Sequence, residues 1–260
     1  MPDKEAFFSL KNGEFVPAPH ARSPWAPDML HGRLLGGLAA RAIEDEHGDP
    51  EFHFARLTVD LFRNSPLVPL SVETVRIREG RRIRVADATV RTAGHGAIAR
   101  ATAVLLRRGE QPEGEVSRTP TWDAPTPEEI GPQPPGAWTP PFDLWRLTSW
   151  TDPGPKRVWL RETFPLVEGE TMSPFVRVAL AGDFASPLAN SGTAGLHFIN
   201  ADYTLTLSRL PLGEDIGLES NGHLSDDGVA TAHCTVHDTS GPIGYCLVTA
   251  VANPGTRLGG

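Results

Sequence analysis

Cysteine is nearly absent: Cys234 and Cys246 are the only two in 260 residues. Two thiols cannot build a disulfide framework, and their spacing fits no zinc motif. Both read as buried thiols of a protein kept in a reducing, cytoplasmic compartment. No apolar run approaches the roughly 18–20 residues that a membrane span needs, and the first residues hold no apolar core of signal-peptide length. Positive charge is short as well. With 24 Lys and Arg against 32 Asp and Glu the net charge is −8, which sets nucleic acid aside as a partner because phosphates require a basic field. The chain has no G-x-S-x-G, no Walker loop and no G-x-G-x-x-G. A nucleophile-elbow hydrolase, a P-loop enzyme and a dinucleotide-binding enzyme are thereby excluded. The histidines form no H-E-x-x-H. His233 and His237 share a strand face at even spacing but have no carboxylate beside them, so no metal site is expected.

What is present is a soluble globular composition, 39 % hydrophobic and 22 % charged, with proline concentrated in one place. Nine of the 25 prolines fall in 109–143. Proline removes backbone donors and restricts its predecessor, so this stretch reads as an extended linker with neither helix nor central strand. Its Trp122 and Trp138 suggest that it packs along a surface. The domains expected are therefore 1–108 and 144–260, joined by 109–143.

The two flanks read alike. In the first, Leu34, Leu35, Leu38, Ala42 and Ile43 form one stripe at helical spacing over 33–47, stopped by Gly48 and Pro50. In the second, Ser173 and Pro174 supply an N-cap and a first helical residue, and Pro187 is expected to end the helix at Ser186. Each helix precedes a period-2 strand. Ala55, Leu57, Val59 and Leu61 alternate with Arg56, Thr58 and Asp60. At a constant offset of 146, Ala201, Tyr203, Leu205 and Leu207 alternate with Asn200, Asp202, Thr204, Thr206 and Ser208. Gly96-Ala97-Ile98-Ala99 and Gly241-Pro242-Ile243-Gly244 then lead into the final strands, 100–107 and 245–252. Ala99, Ala101 and Ala103 face one way in the first, as do Gly244, Cys246 and Val248 in the second. Such rows of small side chains let a helix lie close on a curved sheet. The pattern predicts an α+β fold, two copies of a helix wrapped by a curved antiparallel sheet and joined edge to edge.

Asp183 falls on the apolar stripe of the second helix, near its C-terminus, against both burial and the helix dipole. Desolvation raises a carboxylic acid's pKa, which suits a general base; the alternative is a side chain turned to solvent at a fraying helix end. Asn200 stands at the head of the next strand, where an amide orients a water or a carbonyl, or simply bonds a strand end. His31, Gly32 and Arg33 open the first helix, whose free N–H groups can receive an oxyanion. Gly36 and Gly37 inside that helix imply close contact with sheet or ligand. The arginine-rich turn 76–84 is a candidate dock for nucleotide phosphates, or a solvated hairpin.

These residues resemble a family. Leu30-His31-Gly32-Arg33-Leu34-Leu35-Gly36-Gly37-Leu38 is similar to the opening of the first helix in type II acyl-CoA thioesterases. Ala181-Gly182-Asp183-Phe184, Phe198-Ile199-Asn200-Ala201-Asp202 and Gly241-Pro242-Ile243-Gly244 resemble that family's second half. The resemblance implies a double hotdog that hydrolyses acyl-CoA with a water held by an aspartate, a threonine or asparagine, and a glutamine. Carried over, these are Asp183, Asn200 and a position in the last strand held by Val248 or Thr249, so the glutamine itself is missing and Thr249 is the candidate third group. The oxyanion would lie at His31, Gly32 and Arg33. Coenzyme A enters as part of the substrate, and no separate cofactor, nucleic acid or membrane partner is implied. Two other readings stand beside it. One is a non-catalytic double hotdog that binds acyl-CoA or acyl chains. The other is a hydratase, disfavoured because no aspartate has a histidine five residues later. Association into a homo-oligomer stays open, since two fused hotdogs already form a pseudo-dimer.

Overall fold

A computed structural model describes residues 5–26, 28–133 and 140–253. The chain begins with a hairpin, β1 (Phe8–Lys11) and β2 (Glu14–Pro17), around Asn12 and Gly13. Both turn residues have positive φ, 52° and 82°, the conformation that an Asn-Gly pair adopts readily. Helix α1 (Gly32–His47) follows, then strands β3 (Phe52–Leu61), β4 (Leu70–Arg78), β5 (Ile83–Thr92) and β6 (Gly96–Arg107). The second half starts with a single helical turn, α2 (Pro127–Ile130), and a hairpin of β7 (Phe142–Arg146) and β8 (Arg157–Glu162). Helices α3 (Pro174–Gly182) and α4 (Ala185–Asn190) come next, then the short β9 (Ser191–Gly192), β10 (Gly195–Leu196) and β11 (Phe198–Asn200). Four long strands close the chain: β12 (Asp202–Leu207), β13 (Asp215–Asp226), β14 (Val229–Asp238) and β15 (Gly241–Ala252).

One sheet takes in both halves, in the order β1-β2-β4-β5-β6-β3-β12-β15-β14-β13-β8-β7, with β11 also on β15. Inward from either edge the sequence of elements is the same: a hairpin, three strands, and the strand that follows the helix. The two inner strands, β3 and β12, pair antiparallel with Thr58 opposite Thr204, their hydroxyls 3.1 Å apart. Helices α1 and α3 lie on one face of the sheet and run in opposite directions. Gly37 meets Leu180, while Glu44 accepts a hydrogen bond from Ser173 at the other end. The alternation read from the sequence holds over Ala99, Ala101 and Ala103 in β6 and over Cys246 and Val248 in β15, all buried under the helices.

Three local expectations need correction. Pro187 does not end the second helix. The helix breaks at Asp183 and Phe184, and Pro187 sits in the first turn of α4, where the N–H it lacks would have had no helical acceptor. A helical turn does form inside the proline-rich stretch, because Pro127 occupies the first helical position and Thr126 with Glu129 completes a capping box,. Finally, the strand expected from Asn200 onward is interrupted at Ala201. Asn200 pairs with Ala250 whereas Thr204 pairs with Leu247, a one-residue change of register. Such a slip turns the side chain before it to the opposite face. Asn200 therefore leaves the polar face of β12 and points inward.

Trp122 packs as expected, stacked on His237 at 4.3 Å and edge-on to Trp159 at 4.9 Å. Trp138 lies outside the described residues.

Candidate active site

Asp183 sits at the joint between α3 and α4, closing one helix and standing one residue ahead of the next helix's N-cap. Only 8 % of it is exposed. The Asn200 side-chain amide donates a hydrogen bond to Asp183 Oδ1 at 2.9 Å. Burial raises the pKa of the Asp183 carboxyl above the ordinary aspartate value; the Asn200 hydrogen bond and the charge of Arg33 work in the opposite direction. The bond from Asn200 to Oδ1 leaves Oδ2 on the side of α1: a Cβ built on Gly32 would lie 4.0 Å from Oδ2 and 3.6 Å from Leu61 Cδ1. A carboxylate from one half of the chain thus meets the N-terminus of the other half's helix at the one residue type that leaves its backbone open to a ligand.

The opening of α1 is held rigidly. The His31 N–H donates to Ala21 O at 3.0 Å and the Leu34 N–H to His31 O at 3.0 Å. His31 is the N-cap and makes no side-chain cap, and burial drives its pKa down to about 3, helped by the Arg33 charge. It is a neutral ring at physiological pH. The Arg33 side chain turns away from the site. It is buried, forms an ion pair with the equally buried Glu162, and lies between Phe7 and Phe142, 5.1 and 4.7 Å from the ring centroids. Burial raises the Glu162 pKa, with Arg33 opposing. Of the residues expected here, Gly32 and Arg33 therefore offer the backbone, and the guanidinium anchors the helix.

Thr249 does not join the pair. It lies on the exposed face of β15, where its hydroxyl donates to Asp202 Oδ2 at 2.6 Å and its N–H donates to Asp202 Oδ1 at 2.9 Å. Side chains alternate along a strand, so the inward position is Val248, 1 % exposed. Two residues away on the same face, Cys246 reaches Gly182 O at 3.3 Å; on the other side, Ala250 is the partner of Asn200. Val248 is bracketed by the neighbours of Asp183 and Asn200 and supplies no polar group.

Sequence reasoning missed Tyr203. It is fully buried and its hydroxyl donates to Ala179 O at 2.8 Å. It also missed Glu162, Phe7 and Phe142, which reach Arg33 from remote segments with no local signal. The arginine-rich hairpin 76–84 lies at the far end of α1, where Arg76 donates to His47 Nδ1 at 3.3 Å. Arg84 pairs there with Asp49 at 2.6 Å, and Arg76 with Glu79. His47 there lies fifteen residues along the helix from Gly32, about 22 Å at 1.5 Å per residue. No group of three or more potential metal ligands occurs among the described residues.

Two family models match the chain. The acyl-CoA thioesterase N-terminal domain covers residues 21–106, and the acyl-CoA thioesterase C-terminal domain covers 116–251. No curated protein matches the sequence. Among solved structures, the tesB protein of Mycobacterium avium subspecies paratuberculosis is similar at a TM-score of 0.67 and 16 % identity, over 94 % of this chain and 95 % of that one. A conserved protein of unknown function with a hot dog fold from Alicyclobacillus acidocaldarius gives 0.72 and 16 %, over 94 % of each. An acyl-CoA thioesterase II of Mycobacterium marinum gives 0.64 and 14 %, over 95 % of each. At these identities the likeness is one of fold, an α+β hotdog.

Proposed function

The chain belongs to the acyl-CoA thioesterase family, and from that premise we propose that it hydrolyses acyl-CoA thioesters with a water activated by Asp183 and oriented by Asn200. The two halves, 1–108 and 144–260, are on this reading repeats of one hotdog unit, joined by 109–143 and sharing a single sheet. The observation that carries the proposal is the buried Asp183, paired with the half-buried Asn200 and facing Gly32 from the other half.

On this reading the steps are these. The thioester carbonyl oxygen accepts from the N–H groups of Gly32 and Arg33 at the positive end of α1. Water held by Asn200 gives a proton to Asp183 as its oxygen attacks the carbonyl carbon. The tetrahedral intermediate collapses, the C–S bond breaks, and the coenzyme A thiolate leaves and is protonated, with the acid as the second product. The raised pKa of Asp183 supports a base role, since a more basic carboxylate accepts the proton more readily.

One observation favours a second reading, an acyl-CoA-binding protein without turnover: the inward position of β15 is Val248, and Thr249 is engaged by Asp202. Thiol release measured across acyl-CoA chain lengths separates the two. Hydrolysis by the unaltered protein that falls at least about 100-fold in Asp183→Asn, the scale of general-base catalysis, supports the enzyme. Binding of acyl-CoA with no thiol released by the unaltered protein overturns it.

A further inference from the structure

A cavity of about 550 Å³ opens at the far end of α4 from Asp183. Its walls are the loop around Pro155 and Lys156, the end of α4 at Asn190, the β9–β10 turn, Phe198 of β11, and Ser220 and His223 of β13. The volume lies within the range of small-molecule sites, roughly 300–1,000 Å³. In a protein of net charge −8, the lining contains no aspartate or glutamate and one lysine.

That lysine is the anomaly. Lys156 is 5 % exposed, yet its ammonium has no hydrogen bond or ion pair among the described residues. The other buried charges are matched: Arg33 by Glu162, Asp183 by Asn200, Asp87 by Arg100 and Thr102, Asp238 by Arg209. Burial lowers the Lys156 pKa, opposed by the charge of Asp152, but Asp152 is itself exposed and accepts from the Ser149 N–H. Beside Lys156, buried Ser220 accepts the Lys156 N–H at 2.7 Å, which leaves its own hydroxyl proton without an acceptor among the described residues. Two donors on buried residues thus line a space free of carboxylates. An unpaired ammonium at the end of a largely buried side chain is less well solvated than one at the surface; an anion in the cavity would match it.

We propose that this cavity is an anion subsite of the thioester site, in which Lys156 and Ser220 hold a carboxylate or phosphate carried by the substrate. The inference rests on the thioesterase reading for the identity of its ligand. Two elements link the cavity to the reacting carbonyl. Helix α4 carries the chain from Phe184, next to Asp183, to Asn190 at the cavity, six helical residues or about 9 Å at 1.5 Å per residue, and β11 places Phe198 in the cavity wall and Asn200 at Asp183. The volume exceeds that of a lone carboxylate or phosphate, so the anion arrives as part of a larger molecule. Its source is either the distal end of a dicarboxylic acyl group or the 3′-phosphate of coenzyme A.

Hydrolysis-inert thioethers separate these sources in a calorimetric titration. The probes are S-hexyl-coenzyme A, S-(5-carboxypentyl)-coenzyme A, coenzyme A and dephospho-coenzyme A, titrated into the unaltered protein, Lys156→Met and Lys156→Arg. If the anion is the acyl carboxylate, the carboxypentyl thioether binds at least tenfold tighter than the hexyl one. Lys156→Met then abolishes that preference and Lys156→Arg keeps it. If the anion is the 3′-phosphate, Lys156→Met weakens both thioethers and coenzyme A at least tenfold and leaves dephospho-coenzyme A unchanged. Affinities unaltered by Lys156→Met, or all four reduced alike, or no binding at all, overturn the proposal. Lys156→Gln serves if the methionine variant does not fold. Turnover is not needed for this readout. Lysine-dependent binding without thiol release would therefore sink the hydrolase and leave the subsite standing, and hydrolysis without lysine dependence would do the reverse.

Discussion

The Tyr203 hydroxyl fills the space that a side chain on Gly36 would need: a Cβ built there would lie 2.0 Å from the oxygen and 3.0 Å from Cζ. The same hydroxyl donates to Ala179 O on α3, so one phenol fixes both helices to the central strand β12. Gly36→Ala is expected to destabilise the fold by about 1–3 kcal/mol, the usual cost of overpacking, despite alanine's better helix propensity. The double variant with Tyr203→Phe should recover part of that loss, because Cζ still crowds the new methyl. Urea midpoints of the two single variants and the double variant give the coupling. Additive losses would show that the contact is not shared.

Arg33 and Glu162 are a buried pair between two phenyl rings, so removing one partner leaves the other charged in an apolar setting. Arg33→Met should cost about 3–5 kcal/mol, and Arg33→Met with Glu162→Leu much less. Because the guanidinium holds the start of α1, the single variant should also lose thioesterase activity in proportion to its unfolding. Retained stability in Arg33→Met would mean that Glu162 takes up a proton at little cost.

Much of this was legible beforehand wherever the pattern was local. The stripe from Leu34 to Ile43 and the alternation through Leu57 and Val59 reflect one buried face each, and they appear as read. The inward turn of Asp183 was only half legible: helical spacing put it on the apolar face, but its place at a helix end left solvent as the alternative, and its burial decides between them. The inward turn of Asn200 was not legible. It depends on the slip at Ala201, which arises from how β15 pairs with two short strands, and nothing in the strand's own alternation records it. The outward facing of Thr249 was already implied by the alternation through Cys246 and Val248, and its pairing with Asp202 agrees with that alternation; only the family position, which falls on Val248 or Thr249, was left open by one residue of register. The Asn12-Gly13 turn was a readable hairpin signal that went unused.

His31 should be dispensable as an acid or a cation. Its pKa of about 3 lies below the unfolded histidine value of about 6.5, so the unfolded chain binds the proton first as pH falls. The stability linked to His31 is complete above about pH 6.5 and is lost as the pH drops toward 3. His31→Gln should therefore flatten the fall in the denaturation midpoint across that window and leave the pH–rate profile above pH 6.5 unchanged. A new basic or acidic limb in that profile would give the ring a chemical role.

Asn200 holds the Asp183 pKa down while burial holds it up. Only the ionised carboxylate accepts a proton from water, so kcat/KM should rise with pH through this pKa and then level. Asn200→Ala removes the lowering hydrogen bond. Its rising limb should move to higher pH, and its plateau should fall about 10–100-fold, since a water-orienting group is lost along with the tuning. The linked stability has the opposite sign to that of His31. A buried acid with a raised pKa favours folding most below the ordinary aspartate value, and that contribution is lost as pH rises through the folded pKa. Asp183→Asn should thus be more stable than the unaltered protein above that range. A pH–rate limb that stays in place in Asn200→Ala would show that Asp183 is not the titrating base.

Val248 decides how far the third polar position matters. It points inward between the neighbours of Asp183 and Asn200, whereas Thr249 points outward to Asp202. Val248→Gln would put a second amide on the side of the attacking water, at a packing cost of about 1–3 kcal/mol. If the water is under-held in the natural protein, kcat should rise about tenfold, with KM little changed because the gain is made in the transition state. Thr249→Gln serves as the control: the same amide one residue along faces solvent, loses the hydroxyl bond to Asp202 Oδ2 while the backbone N–H bond to Oδ1 stays, and should not raise kcat. Equal effects from both variants would show that facing does not matter, and the assignment of the inner face of β15 to the catalytic water would then fail.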